Sequence, residues 1–297
     1  LTQEGNGAFA AKFPTGQRVA SDMLWLTSSE KGFSWAPEHD ANWVYDKRKD
    51  RPLTVRVDNR GGHCAVQMIN REVTVPEGAA YHAIFIATPS RPMPKVWRTF
   101  RLGGYNRFSN CVYTLAHHSG GGFDGVFSYR PAKNFGAYMK HLKKYKRSNI
   151  IAYGGATALN NYCADGKYFG RYWAIPSGPV VPFHDRFGGI KSLQTNTCPR
   201  TRYSDYILDN YRRLFDHPAQ MHKGIYYDLA TNYLCDNELH GCKFKDAFGR
   251  EISRLVMWGM RRHIMRTMKY CHQRGRILVL HSHSYFMPMV HGLGDYW

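Results

Sequence analysis

The chain has 297 residues, 43% of them hydrophobic, enough for a sizeable core in one large domain or one and a half ordinary ones. Its 41 Lys and Arg against 22 Asp and Glu give a formal charge of +19, a field that favours anionic partners. The basic residues are scattered, with no basic arm, zinc-finger spacing or RNP-like motif, so nucleic acid is not an expected partner, and no apolar run approaches the roughly 20 residues of a membrane span.

Residues 1–95 read as the C-terminal portion of a β-sandwich domain. Short apolar or alternating segments recur at 53–57, 65–68, 73–75 and 81–86, separated by Gly- and Pro-containing breaks. "RVDNRGGHCAV" reads as a hairpin with its turn between Asn59 and Gly62. Trp35, Trp43 and Trp97 are expected in core or interdomain packing. "TPSRPMPKVWR" (88–98), rich in proline and without periodicity, reads as a linker.

Residues 96–297 change to an alternation of strand and helix. "NCVYTLAHH" (110–118) is a strand. A helix over 133–147 places Phe135, Met139, Leu142 and Tyr145 at three-to-four spacing and leaves the lysines of "KHLKKYKR" on a solvated face. The strand "NIIAYGG" (149–155) and a long loop to Thr197 follow. Next come a helix over 202–216, the strand "GIYYD" (224–228), a long helix over 251–275 stopped by Gly275, and the strand "RILVLHSHS" (276–284). Such repeats with apolar strands predict a parallel α/β sheet. The strands end in polar residues: His117 and His118, Tyr153 and Gly154, Asp228, His281 and His283. In these folds the chemistry sits after the carboxyl ends of the strands. No GxGxxG, GxxxxGK[ST] or GxSxG stands there, which removes the usual signatures of nucleotide binding and serine hydrolysis.

The segments "GFSWAPEHDANW", "IFIATPSRPMP", "CPRTRYSDYIL", "GIYYDLATNYLCDNELHGC" and "VLHSHSYFMPMVHGLGDYW" occur in an order that resembles an uncharacterised bacterial family related to glycoside hydrolase family 123. The resemblance spans nearly the whole chain. It implies a β-sandwich followed by a (β/α)8 TIM-type barrel, hydrolysis of glycosidic bonds, and a Gly-Glu pair and further strands after "DYW". It therefore implies that the barrel is C-terminally truncated at Trp297. The absence of an N-terminal Met fits a removed signal peptide or a piece of a longer protein, with a periplasmic or extracellular location expected. In family 123 an Asp-Glu tandem performs substrate-assisted cleavage of N-acetylgalactosaminides. Here Asp228 is followed by Leu229, so that chemistry is not expected.

Glycoside hydrolysis normally needs two carboxyl groups flanking the scissile bond. Asp228, fixed at the end of an apolar strand, is expected as nucleophile or base, against the plain alternative of a carboxylate that bonds loop amides. Candidates for the second acid are Asp295, through the family's D-x-W pattern, and Glu238 or Asp236 in the loop after Asp228. The expected sugar ligands are His281 and His283, two apart on one strand face, together with His117, Tyr153, Tyr227 and Asn232. Among the seven cysteines, Cys235 and Cys242 flank His240. That set leaves open a zinc site completed from elsewhere, for instance by His281, a disulfide, or two buried thiols. No cofactor and no metal is expected at the active site. The expected partner is a carbohydrate, anionic glycans included. The competing readings are a non-catalytic glycan-binding protein and a metal-dependent hydrolase.

Overall fold

The structure is a computed structural model. It describes residues 7–11, 23–27, 31–44, 53–58, 61–66, 68–69, 71–89, 92, 102–104, 113–116, 135–142, 149–161, 163–176, 180–184, 191–281 and 286–296.

The N-terminal part is all-β. Strands β1 (Gly7–Ala11), β4 (Leu53–Asp58) and β5 (Gly61–Val66) form one antiparallel sheet, and β2 (Leu24–Thr27), β3 (Gly32–Pro37) and β6 (Ala83–Thr88) form another. β4 and β5 pair in the expected hairpin, with Asp58 opposite Gly61. Leu24, Trp35 and Trp43 make a small core on which Val66 and Met68 pack, and the two Trp rings lie 6.2 Å apart. Both tryptophans thus do packing work, while Trp97, His117 and most of the expected linker lie outside the described residues.

The C-terminal part is α/β. Strands β7 (Leu102–Gly104), β8 (Tyr113–Ala116), β9 (Asn149–Gly155), β13 (Gly224–Asp228) and β17 (Ile277–Leu280) build one sheet in that spatial order, with every neighbouring pair parallel. The order in space equals the order in sequence. Doubly wound sheets reverse direction at a switch point and carry helices on both faces. Here α1 (Phe135–Leu142), α3 (Tyr203–Asp216) and α4 (Met257–His272) all contribute to one core. Met139, Tyr211, Leu214, Met260 and Ile264 meet Ile150, Ala152, Ile225, Tyr227, Leu278 and Leu280 there. The alternate strand residues Ile151, Tyr153, Tyr226 and Val279 cluster on the opposite face. After α5 (Pro288–His291) the chain returns beside β17, where Tyr296 bridges Val279 in parallel and its carbonyl accepts from Leu280 N–H at 2.9 Å. Among the described residues this is a singly wound arc and not a closed barrel.

Two sequence expectations change. The long loop before Thr197 contains β10 (Ala158–Asn160), α2 (Ala164–Trp173), β11 (Val180–His184) and β12 (Lys191–Asn196), the three strands forming a small antiparallel sheet. α2 is hidden because its buried face is Gly166, Gly170 and Trp173, and glycine is a poor helix former. Gly166 is nevertheless required, since a Cβ there would stand 1.9 Å from Asn160 O. The helix expected from residue 251 begins only at Met257. "EISRL" is strand β16 (Glu251–Leu255), held between β14 (Leu234–Cys235) and β15 (Lys243–Lys245).

The two parts are joined by polar clamps. Glu38, 5% exposed, takes Arg200 and Arg254 as partners, the latter at 3.2 Å. Burial opposes its ionisation, but His82 and the two guanidinium groups outweigh that and hold its carboxyl below the ordinary value. Asp246 accepts from Asn42 N–H at 3.1 Å and from Arg250 at 2.6 Å.

Candidate active site at the carboxyl ends of β9, β13 and β17

Three adjacent parallel strands end together, and their face away from the helices carries a ladder of rings. Tyr153 of β9 stands opposite Tyr226 of β13 in the register. Their rings stack at 5.3 Å, and Tyr226 stacks on His281 at 6.0 Å. Asp228 sits two residues beyond Tyr226, on the same face.

The Asp228 carboxylate is gripped from three sides. Tyr153 Oη donates to Oδ2 in a short hydrogen bond. His281 Nδ1 donates to Oδ1 at 2.8 Å, and Leu229 N–H reaches the same oxygen at 2.9 Å. A carboxylate, which only accepts, satisfies all three donors. Leu229 adopts φ 58°, a left-handed conformation that costs an ordinary residue roughly 1–2 kcal/mol. That turn folds its N–H back onto Asp228, and Ala230 N–H then donates to His281 O at 3.0 Å. A residue with a strained backbone thus stands directly beside the half-buried acid. The Asp228 side chain is 15% exposed and His281 45%, so the pair opens to solvent through the imidazole.

Asp228 also sets its neighbours' protonation. Burial first, then the carboxylate charge, push the phenols of Tyr153, Tyr226 and Tyr233 above their ordinary value. All three phenols therefore keep their protons near neutral pH.

The other expected site residues divide. Tyr153 and His281 contact Asp228 directly, as above. Asn232 lies half-buried in the loop after Asp228. His283 lies outside the described residues. Tyr227 does not face this site: it is fully buried on the helix side, its hydroxyl 3.3 Å from Thr267 of α4 and its ring 5.3 Å from His263. Strand alternation makes Tyr226 the residue that shares a face with Asp228. Asp295 is also elsewhere. It accepts from Leu278 N–H at 2.7 Å and pairs with His272, at the end of α4, at 3.1 Å. That register sets it level with Leu278, about 10 Å along the strand from His281, and on the helix side. Glu238 points outward, its side chain 75% exposed and 3.4 Å from Lys243. Tyr226 follows from the period of two in "GIYYD"; Tyr233 carries no pattern that marks it.

A second cluster is formed by the loop that follows Asp228 together with Cys198. Cys198, Cys235, His240 and Cys242 gather their ligand atoms within 4.8 Å of one another. Cys235 and Cys242 are free thiols and not a disulfide. The fourth member is Cys198, and not His281, which is committed to Asp228.

No protein-family model and no curated protein matches the chain. Solved structures show a distant likeness. An α-galactosidase from Thermus thermophilus in complex with stachyose is 9% identical, with TM-score 0.45, over 93% of this chain and 58% of that one. An α-N-acetylgalactosaminidase from Bifidobacterium bifidum in complex with GalNAc is 17% identical, with TM-score 0.36, over 58% and 26%. The glycoside hydrolase domain of PelA from Pseudomonas aeruginosa is 14% identical, with TM-score 0.32, over 61% and 58%. The chain thus spans between 26% and 58% of the length of these structures. All three are glycoside hydrolases by description, yet at such TM-scores the likeness carries no argument. The α/β class of this chain rests on its own strand order, and kinship with family 123 is not shown.

Proposed function

We propose that the chain carries the sugar-binding and catalytic face of a glycoside hydrolase built on a (β/α)8 barrel. The observation that supports this is Asp228, a carboxylate held by three donors at the carboxyl end of a parallel strand, with stacked aromatic rings below it. In this reading the pyranose ring lies over the mouth formed by β9, β13 and β17. Asp228 stabilises positive charge developing at the anomeric carbon, as nucleophile or as electrostatic partner. Tyr153 and Leu229 N–H fix its orientation, so that the reacting geometry is prepared before the sugar arrives. His281, the most exposed member, is placed to hydrogen-bond a sugar hydroxyl or to move a proton at its ring. The excess of positive charge suits glycans bearing carboxylate or sulfate groups, and binding of those weakens as salt screens it.

One observation favours the second reading, a glycan-binding protein without turnover. Neither Asp295 nor Glu238, two of the acids expected to join Asp228, stands beside it. The metal-dependent hydrolase has less support, because the Cys/His cluster offers four ligand groups, which would leave a bound ion no open position for substrate.

Release of reducing ends from a panel of neutral, uronic-acid and sulfated polysaccharides tests the proposal. Hydrolysis of one class, weakened by salt if that class is anionic, is expected. Binding of glycans with no release from any would establish the second reading, and neither binding nor release would overturn both.

A further inference from the structure

Four sulfur and nitrogen atoms converge where two excursions from the sheet meet. Cys198 follows β12, Cys235 ends β14, His240 closes a 3-10 turn (Glu238–His240), and Cys242 leaves that turn. Cys198 Sγ and Cys242 Sγ lie 3.8 Å apart, and Cys235 Sγ lies 3.4 Å from His240 Nδ1. Zinc bound tetrahedrally at ~2.3 Å from sulfur and ~2.0 Å from nitrogen sets ligand–ligand edges of ~3.8 Å for S–S and ~3.6 Å for S–N. We propose that Cys198, Cys235, His240 and Cys242 bind one structural zinc ion, which pins the loop that follows Asp228.

Three further features match. A ligating histidine usually donates its other ring nitrogen to a carbonyl, which fixes ring and tautomer. His240 Nε2 donates to Tyr172 O, at the end of α2, at 2.6 Å, leaving Nδ1 for the metal. The turn is preformed: Asn237 Oδ1 accepts from Leu239 N–H at 2.9 Å, and Gly241 takes φ 64°, so His240 and Cys242 come to the same side. The three cysteines are fully buried among Ile175, Val256 and Tyr233, so no position is left for water or substrate. A site closed in this way is structural. Without a cation such a cluster is awkward, because metal binding and thiolate charge go together.

The ion would tie the segment after β12 to the excursion between β13 and α4. Tyr233 belongs to both neighbourhoods: it packs on the cysteine cluster and feels the charge of Asp228. The polar, cysteine-bearing loop that follows the acidic strand end is, on this account, a metal-pinned wall of the site.

Metal analysis of the full chain, purified under reducing conditions without chelator, tests this independently of any glycosidase activity. About one zinc per chain is expected. Stripping the metal and adding cobalt(II) should give the visible bands of a tetrahedral site with thiolate charge transfer. The double variant Cys198→Ser/Cys242→Ser should lose both signals. Cys163→Ser, which still offers an acceptor to cap α2, should keep them. If the double variant does not fold, the cobalt spectrum of the unaltered chain decides alone. Zinc-free protein that also fails to take up added zinc chloride or cobalt(II) would overturn the proposal.

Discussion

Tyr226 and Tyr227 are adjacent in sequence and opposite in role, because a strand turns successive side chains to opposite faces. Tyr226 stacks in the ring ladder beneath Asp228, while Tyr227 fills the core under α4. Tyr227→Phe removes a buried hydroxyl that shares a hydrogen bond with Thr267. It should cost about 1 kcal/mol of stability and leave sugar turnover unchanged. Tyr153→Phe removes a donor from Asp228 and should lower turnover by roughly ten- to a hundredfold, the ~1.5–3 kcal/mol of a hydrogen bond to a charged group. Melting curves and kinetics on both variants check the contrast; a turnover loss confined to Tyr227→Phe would place the site on the wrong face of the sheet. Asp228 and His281 were legible in the sequence because each ends an apolar strand. Tyr227, expected as a sugar ligand, faces the helices, and the period of two in the same five residues gives the site face to Tyr226. Asp295, expected from the D-x-W pattern, and Glu238, expected from the loop after Asp228, stand elsewhere, the one hydrogen-bonded to Leu278 and the other paired with Lys243.

At the scale of elements, apolar strands and a helix with a clear three-to-four stripe were readable, so β9, β13 and α3 stand where periodicity places them. α2 and β16 were not. One buries glycines that depress helix propensity, and the other is a short strand whose partners, β14 and β15, are brought by tertiary structure. Close approach decides the start of β13. A Cβ on Gly224 would meet Ile277 O at 2.4 Å and Ile277 Cγ1 at 2.6 Å. Gly224→Ala must therefore push β13 and β17 apart at their amino ends. The expected loss is about 1–3 kcal/mol, read as a lower melting temperature by thermal denaturation. An unchanged melting temperature would show that the two strands do not pack as closely as the register describes.

At the scale of the molecule, pH should act through buried imidazoles. His222 and His263 are fully buried and His291 is 2% exposed. Burial holds the first two neutral down to about 3 and the third to about 4. An unfolded histidine takes its proton near ~6.5. The unfolded chain thus binds protons that the folded chain refuses, and stability, fully present above ~6.5, falls as pH drops toward 4. Each histidine contributes up to about 1.4 kcal/mol per pH unit in that window. Denaturant midpoints at neutral pH and near pH 5 check this, and equal midpoints would show that these rings protonate without loss. The charge of +19 locates no site, since charge counts carry no position. The central claim, that the barrel-like arc exists to hold one carboxylate against a sugar, is tested most directly by Asp228→Asn on whichever glycan the chain hydrolyses. The substitution keeps shape and removes charge. Turnover should fall by about a thousandfold or more, roughly 4 kcal/mol in barrier, with glycan affinity changed only a few-fold. Turnover within about tenfold of the unaltered chain, roughly 1.4 kcal/mol, would contradict the account.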